Sequence, residues 1–286
     1  MRILLDSAHL INILERSRPF GIDELRRILV DGNHKLILTP DSIWEIAAPL
    51  IGRHSYQPIT FSLNRLEALS PTYLSPTKIL HQELTEAVRA FSTGIKYHEI
   101  HPYLPRLDFA IQMYGDPPTH DFINLSMAEI VFSLWRIDPQ IFSRRSVETQ
   151  HQRALLSGDR DLKDPPSLHD HFRTAVRRHL ELHKMKPSEI DINSFADWIY
   201  EKEIRCPSIR LNYEVFHQME RNRGDIARES DFGDFALIAC IPYADAATLD
   251  CRMEDYIERA TRGYSIALGT ILKNDAMDLF AALASA

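Results

Sequence analysis

Ser230-Asp231-Phe232-Gly233-Asp234-Phe235-Ala236-Leu237-Ile238-Ala239-Cys240-Ile241-Pro242-Tyr243-Ala244-Asp245-Ala246-Ala247-Thr248-Leu249-Asp250 is a helix, a turn and a strand in unbroken succession. Ser230 is a favoured helix N-cap, and Asp231 suits a first turn because the positive end of the helix dipole lies there. The apolar run that follows continues the helix over Asp231–Ile241, and Pro242 ends it. Ala246–Leu249 then reads as a short buried strand, stopped by Asp250. The chain opens in the same manner. Arg2-Ile3-Leu4-Leu5 is a continuous apolar run, as expected of a strand buried on both faces, and Asp6 stops it. Carboxylates at the ends of buried strands are costly unless a cation pairs with them, which points to a metal site.

Outward from these two stretches the pattern alternates. Leu10, Ile11, Ile13 and Leu14 recur at helical spacing, and Ile22, Leu25, Ile28 and Leu29 mark a second helix ended near Gly32-Asn33. Lys35–Thr39 is a second strand, and Pro40 starts the helix carrying Ile43, Trp44, Glu45 and Ile46. After Asp250 the spacing predicts a helix over Cys251–Thr261, a last strand over Ser265–Leu272 and a closing helix over Asp275–Leu283. Strands alternating with helices argue a parallel sheet.

Between about residues 53 and 206 no strand is expected. Helices are predicted near Phe61–Leu69, Leu80–Ser92, Phe122–Arg136, Pro166–His183, Ser194–Ile204 and Ser208–Asn222, joined by Pro-rich connections. The expected organisation is an α/β core from residues 1–52 and 208–286, discontinuous in sequence, with a large, mainly helical insertion at 53–207.

The 286 residues carry a net charge of −7, which does not advertise a nucleic-acid surface, although acids gathered around a metal with bases elsewhere remain compatible with one. Cys206, Cys240 and Cys251 form neither a disulfide framework nor a CxxC site. No signal peptide is read at Met1-Arg2, and Phe235–Ala244 is too short to span a bilayer, so a cytoplasmic location without membrane contact is expected.

In an open parallel sheet, ligands bind outside the carboxyl ends of the strands. Asp6 and Asp250 lie there, Glu45 lies on the first turns of a following helix, and Asp231 and Asp234 share one helix face. Parallel neighbouring strands bring Asp6, Glu45, Asp234 and Asp250 toward one edge, with Asp231 close by. Oxygen ligands without Cys or His select Mg²⁺ or Mn²⁺.

These pieces, LLDSAHLINIL with Asp6, PDSIWEI with Glu45, DFALIA with Asp234 and TLD with Thr248 and Asp250, resemble the PIN-domain family of metal-dependent ribonucleases, which includes many toxins of toxin–antitoxin pairs. The resemblance covers roughly residues 1–52 and 208–286, under half the chain. It implies a three-layer α/β/α sandwich on a parallel sheet of four or five strands. It implies further that the four acids ligand one or two divalent cations and that the hydroxyl of Thr248 supports the site; Asp231, beside Asp234 on its helix, is an auxiliary candidate. Ser7 is a second candidate support. The departure is the long stretch between Glu45 and Asp234, far longer than in a minimal family member.

Each residue also has a plainer reading. Asp6 and Asp250 suit helix N-caps, Asp234 suits the helix dipole, and Glu45 suits an exposed helix charge. Asp245 reads as a turn residue. His9 reads as a packed or capped histidine, with substrate contact as the alternative. Trp44, Trp135 and Trp198 read as core. The basic stretch His169–Lys186, with Arg173, Arg177, Arg178 and Lys184, is a weak candidate for tracking a phosphate backbone, because charge runs usually form solvated faces.

The expectation is therefore an endoribonuclease of the toxin type, hydrolysing phosphodiesters. Its partners would be RNA and an antitoxin or other protein, with a homodimer left open. The alternative is a non-catalytic PIN-like module that binds RNA or protein. A haloacid-dehalogenase-type phosphatase needs a second Asp two residues after the first, where this chain has Ala8.

Overall fold

Ile3, Leu4 and Leu5 have no exposed surface, as the middle strand of a parallel sheet requires. The computed structural model describes residues 1–15, 21–51, 56–111, 122, 124–137, 168–182, 190–201, 205–222, 231–262, 268–272, 280, 281 and 283. In it, β1 (Arg2–Leu4) lies between β2 (Lys35–Leu38) and β4 (Ala246–Thr248), while β3 (Thr72–Tyr73) and β5 (Thr270–Leu272) form the edges. The order is β3-β2-β1-β4-β5 and every pairing is parallel. The chain has an α/β fold on a single parallel five-stranded sheet.

The first strands are linked through α1 (Ser7–Glu15), α2 (Ile22–Asp31), α3 (Pro40–Ile51) and α4 (Tyr56–Glu67). Local chemistry sets their ends. The N–H of Gly32 returns to Ile28 O at 3.0 Å, and Asn33 takes the left-handed conformation (φ 48°) that asparagine tolerates. At the start of α3, Thr39 N donates to Ser42 Oγ (3.1 Å) and Ser42 N donates to Thr39 Oγ1 (3.0 Å), a reciprocal cap.

After β3 come α5 (Pro76–Thr93), α6 (Leu107–Ile111), α7 (Met127–Ile137), α8 (Leu168–Leu182), α9 (Ile192–Tyr200), α10 (Pro207–Arg221) and α11 (Asp231–Ile238). Between β4 and β5 runs α12 (Cys251–Thr261). The helix expected from Phe122 begins only at Met127. Ser126 and Glu129 form a capping box there: Glu129 N donates to Ser126 Oγ (3.3 Å) and Ser126 N to Glu129 Oε2 (2.7 Å).

Strand side chains alternate between two cores, with the period of two that a pleated strand imposes. Ile3, Leu5, Leu36 and Leu38 pack with Leu10, Leu25, Ile43 and Leu63. Leu4, Ile37, Ala247 and Leu249 pack with Leu211, Val215, Met253 and Ile257. A third cluster, including Leu84, Phe172, Phe195 and Ile209, joins α5, α8, α9 and α10.

The stretch expected to lack strands contains β3, which adds to β2 with Ile37 opposite Thr72 and Leu38 opposite Tyr73. Two residues are too few to show the period-two alternation that marks a strand. Residues of α4, α6 and α7, among them Leu63, Leu107 and Val131, pack in the same cluster as β1 and β2. In the described part of the expected last strand, Thr270–Leu272 is strand; its residues 265–267 lie outside the described residues, as do 275–279 and 282 of the expected closing helix.

Glu83 of α5 is fully buried against the start of α10. Its carboxyl accepts from Ser208 N (2.9 Å), Ile209 N (3.3 Å) and the Tyr243 hydroxyl (2.7 Å). Burial outweighs these bonds and pushes its pKa up to about 7. A folded pKa above the unfolded one gives stability that is complete below the ordinary value of 4.5 and falls as pH rises through about 7. The denaturant midpoint is therefore expected to drop across that window, and Glu83→Gln to flatten the drop. A pH profile of the Gln variant identical to that of the parent would refute this role.

Candidate metal centre

From β1 the chain builds outward through β2 to β3, then returns to the other side of β1 to build β4 and β5. The switch point is thus between β1 and β4, and the crevice beyond the carboxyl ends of such strands is where open α/β sheets take ligands. The register, Ile3 opposite Ala246 and Leu4 opposite Ala247, carries Asp6 and Asp250 out past the ends of adjacent strands.

The same direction of the strands removes Asp245 from this edge. It lies at the amino end of β4, where it accepts from Arg2 N (2.7 Å), Nε (3.2 Å) and Nη2 (2.8 Å). The Arg2 guanidinium holds its carboxyl below the usual carboxylate range.

Asp6, Ser7, Glu45 and Thr248 meet. Asp6 N donates to Thr248 Oγ1 at 2.9 Å, and Thr248 is fully buried, so the end of β1 is tied to β4 by a side chain. The Ser7 hydroxyl lies 3.3 Å from Asp6 Oδ1 and makes a short hydrogen bond to Glu45 Oε2. A hydroxyl has one proton, so it spans two carboxyl groups that both seek it. Burial raises the pKa of Glu45, the Ser7 hydrogen bond opposes this, and the nearby charge of Asp6 raises it further. Among the described residues no lysine or arginine bridges Asp6 or Glu45.

Asp234 is half-buried on α11, which packs against α3, the helix of Glu45. Asp231 begins α11, and its side chain lies outside the described residues. Asp250 caps α12: its Oδ1 accepts from Met253 N at 2.7 Å. Among the described residues no group of three or more His, Cys, Asp or Glu stands together as a metal site. The fold therefore brings Asp6 and Glu45 into one cluster and leaves Asp234 and Asp250 on elements that border it.

A divalent ion suits the pair that does meet. Both donors are carboxylate oxygens, as Mg²⁺ and Mn²⁺ prefer. The raised Glu45 marks a place where uncompensated negative charge is costly and a cation would relieve it.

The packed histidine expected at position 9 has a neighbour that the sequence reading did not assign to it. His9, 6% exposed, places Nδ1 3.8 Å from Asp6 Oδ2. The only signal for this is its position three residues after Asp6, one helical turn along.

The basic stretch is divided. Arg173 is engaged by Asp197 through two bonds of 3.1 and 3.0 Å and by Asp170 at 3.4 Å. Arg177 and Arg178 are exposed on α8, and Lys184 lies outside the described residues. Trp44 and Trp135 pack against the first core cluster and Trp198 against the third, as their helical spacing suggests.

Comparison with family models, with curated proteins and with solved structures finds no match to this chain.

Proposed function

We propose that the chain is a PIN-like, metal-dependent endoribonuclease, a three-layer α/β/α sandwich that hydrolyses RNA phosphodiesters with Mg²⁺ or Mn²⁺. The observation that carries this reading is the Asp6–Ser7–Glu45 cluster beyond the carboxyl end of β1, beside the β1/β4 switch point. Asp6 and Glu45 would hold the ion, with Asp234 and Asp250 completing the set and Asp231 auxiliary. When bound there, a divalent ion neutralises charge on the phosphodiester and lowers the pKa of the attacking water.

The chain's own residues do the rest. Thr248 fixes the backbone of Asp6, and therefore the origin of its carboxylate. Ser7 holds the Asp6 and Glu45 carboxyls at one hydroxyl's reach of each other. Among the described residues of the basic stretch, Arg177 and Arg178 are exposed cations available to an RNA backbone, and binding through them would weaken with salt. We read the protein as cytoplasmic and toxin-like, with an antitoxin or other protein as partner. No helix among the described residues is long and apolar enough to cross a membrane.

One observation favours the second reading, a non-catalytic PIN-like module that binds RNA or protein: an oxygen of Asp250 is committed to capping α12. Calorimetric titration with Mn²⁺ separates the two. A nuclease site is expected to bind Mn²⁺, and the thermal midpoint to rise with metal, because an ion that binds only the folded state stabilises it. The absence of binding at millimolar Mn²⁺ would leave the binding module as the surviving reading.

A further inference from the structure

Resting on the metal-site reading above, the geometry points to His9 as a positioning residue for Asp6. His9 lies on α1 one turn beyond Asp6, so both side chains share a helix face. Its ring is more than nine-tenths buried, yet among the described residues neither ring nitrogen has a hydrogen-bond partner. A neutral imidazole always presents one N–H donor and one acceptor, and buried polar groups are almost always paired. Leu10, Ile13 and Leu14 around it on α1 are apolar and cannot supply a partner through their side chains.

Nδ1 instead faces Asp6 Oδ2, at 3.8 Å. That gap is longer than a hydrogen bond but is closed by a small rotation of the Asp6 carboxyl. Oδ1 of the same carboxyl already lies beside the Ser7 hydroxyl. Asp6 thus has a polar neighbour on each side: beside Oδ1 the Ser7 hydroxyl, whose single proton it shares with Glu45, and facing Oδ2 the His9 ring nitrogen Nδ1. With both in place the carboxylate has one orientation, and its remaining lone pairs are presented to a cation. Carboxylates that ligate metals are held by such outer partners, whose loss typically weakens metal affinity about 10- to 100-fold.

The test is Mn²⁺ affinity measured by calorimetry on the full chain, together with the metal-free denaturation midpoint. His9→Phe fills the same space without a donor and is expected to weaken Mn²⁺ binding about 10- to 100-fold. His9→Asn places an amide N–H near the position of Nδ1 and is expected to restore most of the affinity; His9→Gln, whose amide mimics Nε2, is not. A purely structural role would move the metal-free midpoint in all three variants and leave the Asn and Gln affinities alike. Equal Mn²⁺ affinity in the parent and His9→Phe overturns the assignment of His9 alone. No Mn²⁺ binding by the parent overturns the metal site and this assignment together. If His9→Phe fails to fold, the Asn and Gln pair decides: equal affinities overturn the proposal, and tighter binding by Asn supports it.

Discussion

Asp6→Asn is expected to abolish Mn²⁺-dependent RNA cleavage while the fold survives. The substitution keeps the shape of the side chain and keeps an oxygen for the Ser7 hydroxyl, which lies 3.3 Å from Asp6 Oδ1. The link from Asp6 N to Thr248 Oγ1 uses backbone and is untouched. What is lost is the charge. Residues that merely orient metal ligands cost about 10- to 100-fold when removed, so loss of a direct ligand is expected to exceed about 100-fold. Without its ion the variant should be no less stable than the parent, because the charge of Asp6 raises the pKa of Glu45 and its removal relieves that repulsion. The measurements are cleavage of single-stranded RNA against Mn²⁺ concentration, and the denaturation midpoint of the same preparation. Retained cleavage by a folded variant would remove Asp6 from the chemistry.

Leu4→Ala is expected to produce the largest loss of stability among single substitutions near the site. Leu4 is fully buried in the central strand, with β2 on one side and β4 on the other. It packs in the cluster that contains Ile37, Leu74, Ala247 and Leu249. Neighbours held in β2 and β4, or directly after β3 and β4, cannot collapse into the vacated space without shifting the sheet, so the cavity persists. Leu→Ala at such sites costs about 2–5 kcal/mol, a large part of the roughly 5–15 kcal/mol by which domains are stable. The denaturant midpoint should fall with little change in its slope. Val30→Ala is the control: Val30 is 71% exposed, and the change there should stay within about 0.5 kcal/mol. A Leu4→Ala loss as small as that of the control would contradict a rigid sheet centre.

The parallel α/β character was legible because buried strands and amphipathic helices leave different periods in the chain. Arg2–Leu5 and Lys35–Thr39 read as strands, and the strands run over Arg2–Leu4 and Lys35–Leu38, one residue shorter in each case. β3 was not legible, since Thr72 and Tyr73 become a strand only because Leu38 and Ile37 are beside them. Helix α7 begins where the Ser126–Glu129 cap allows, while periodicity alone places its start several residues earlier, at Phe122.

The candidate site divides along the same line. That Asp6 and Asp250 end strands is a local fact of sequence. That Asp245 belongs to the opposite edge is not, because its partner Arg2 is 243 residues away and is supplied by the pairing of β4 with β1.

The two acidic strand ends, the helix carrying Glu45 and the apolar content of a buried parallel sheet are written locally in the chain, because each depends on neighbours within a turn or a strand length. That β1 and β4 are adjacent, that Ser7 reaches Glu45 and that His9 is buried beside Asp6 came only with the assembled core. Those outcomes depend on which distant segments cover each other's apolar faces, and burial of that kind is a property of the assembled core rather than of any single stretch of chain.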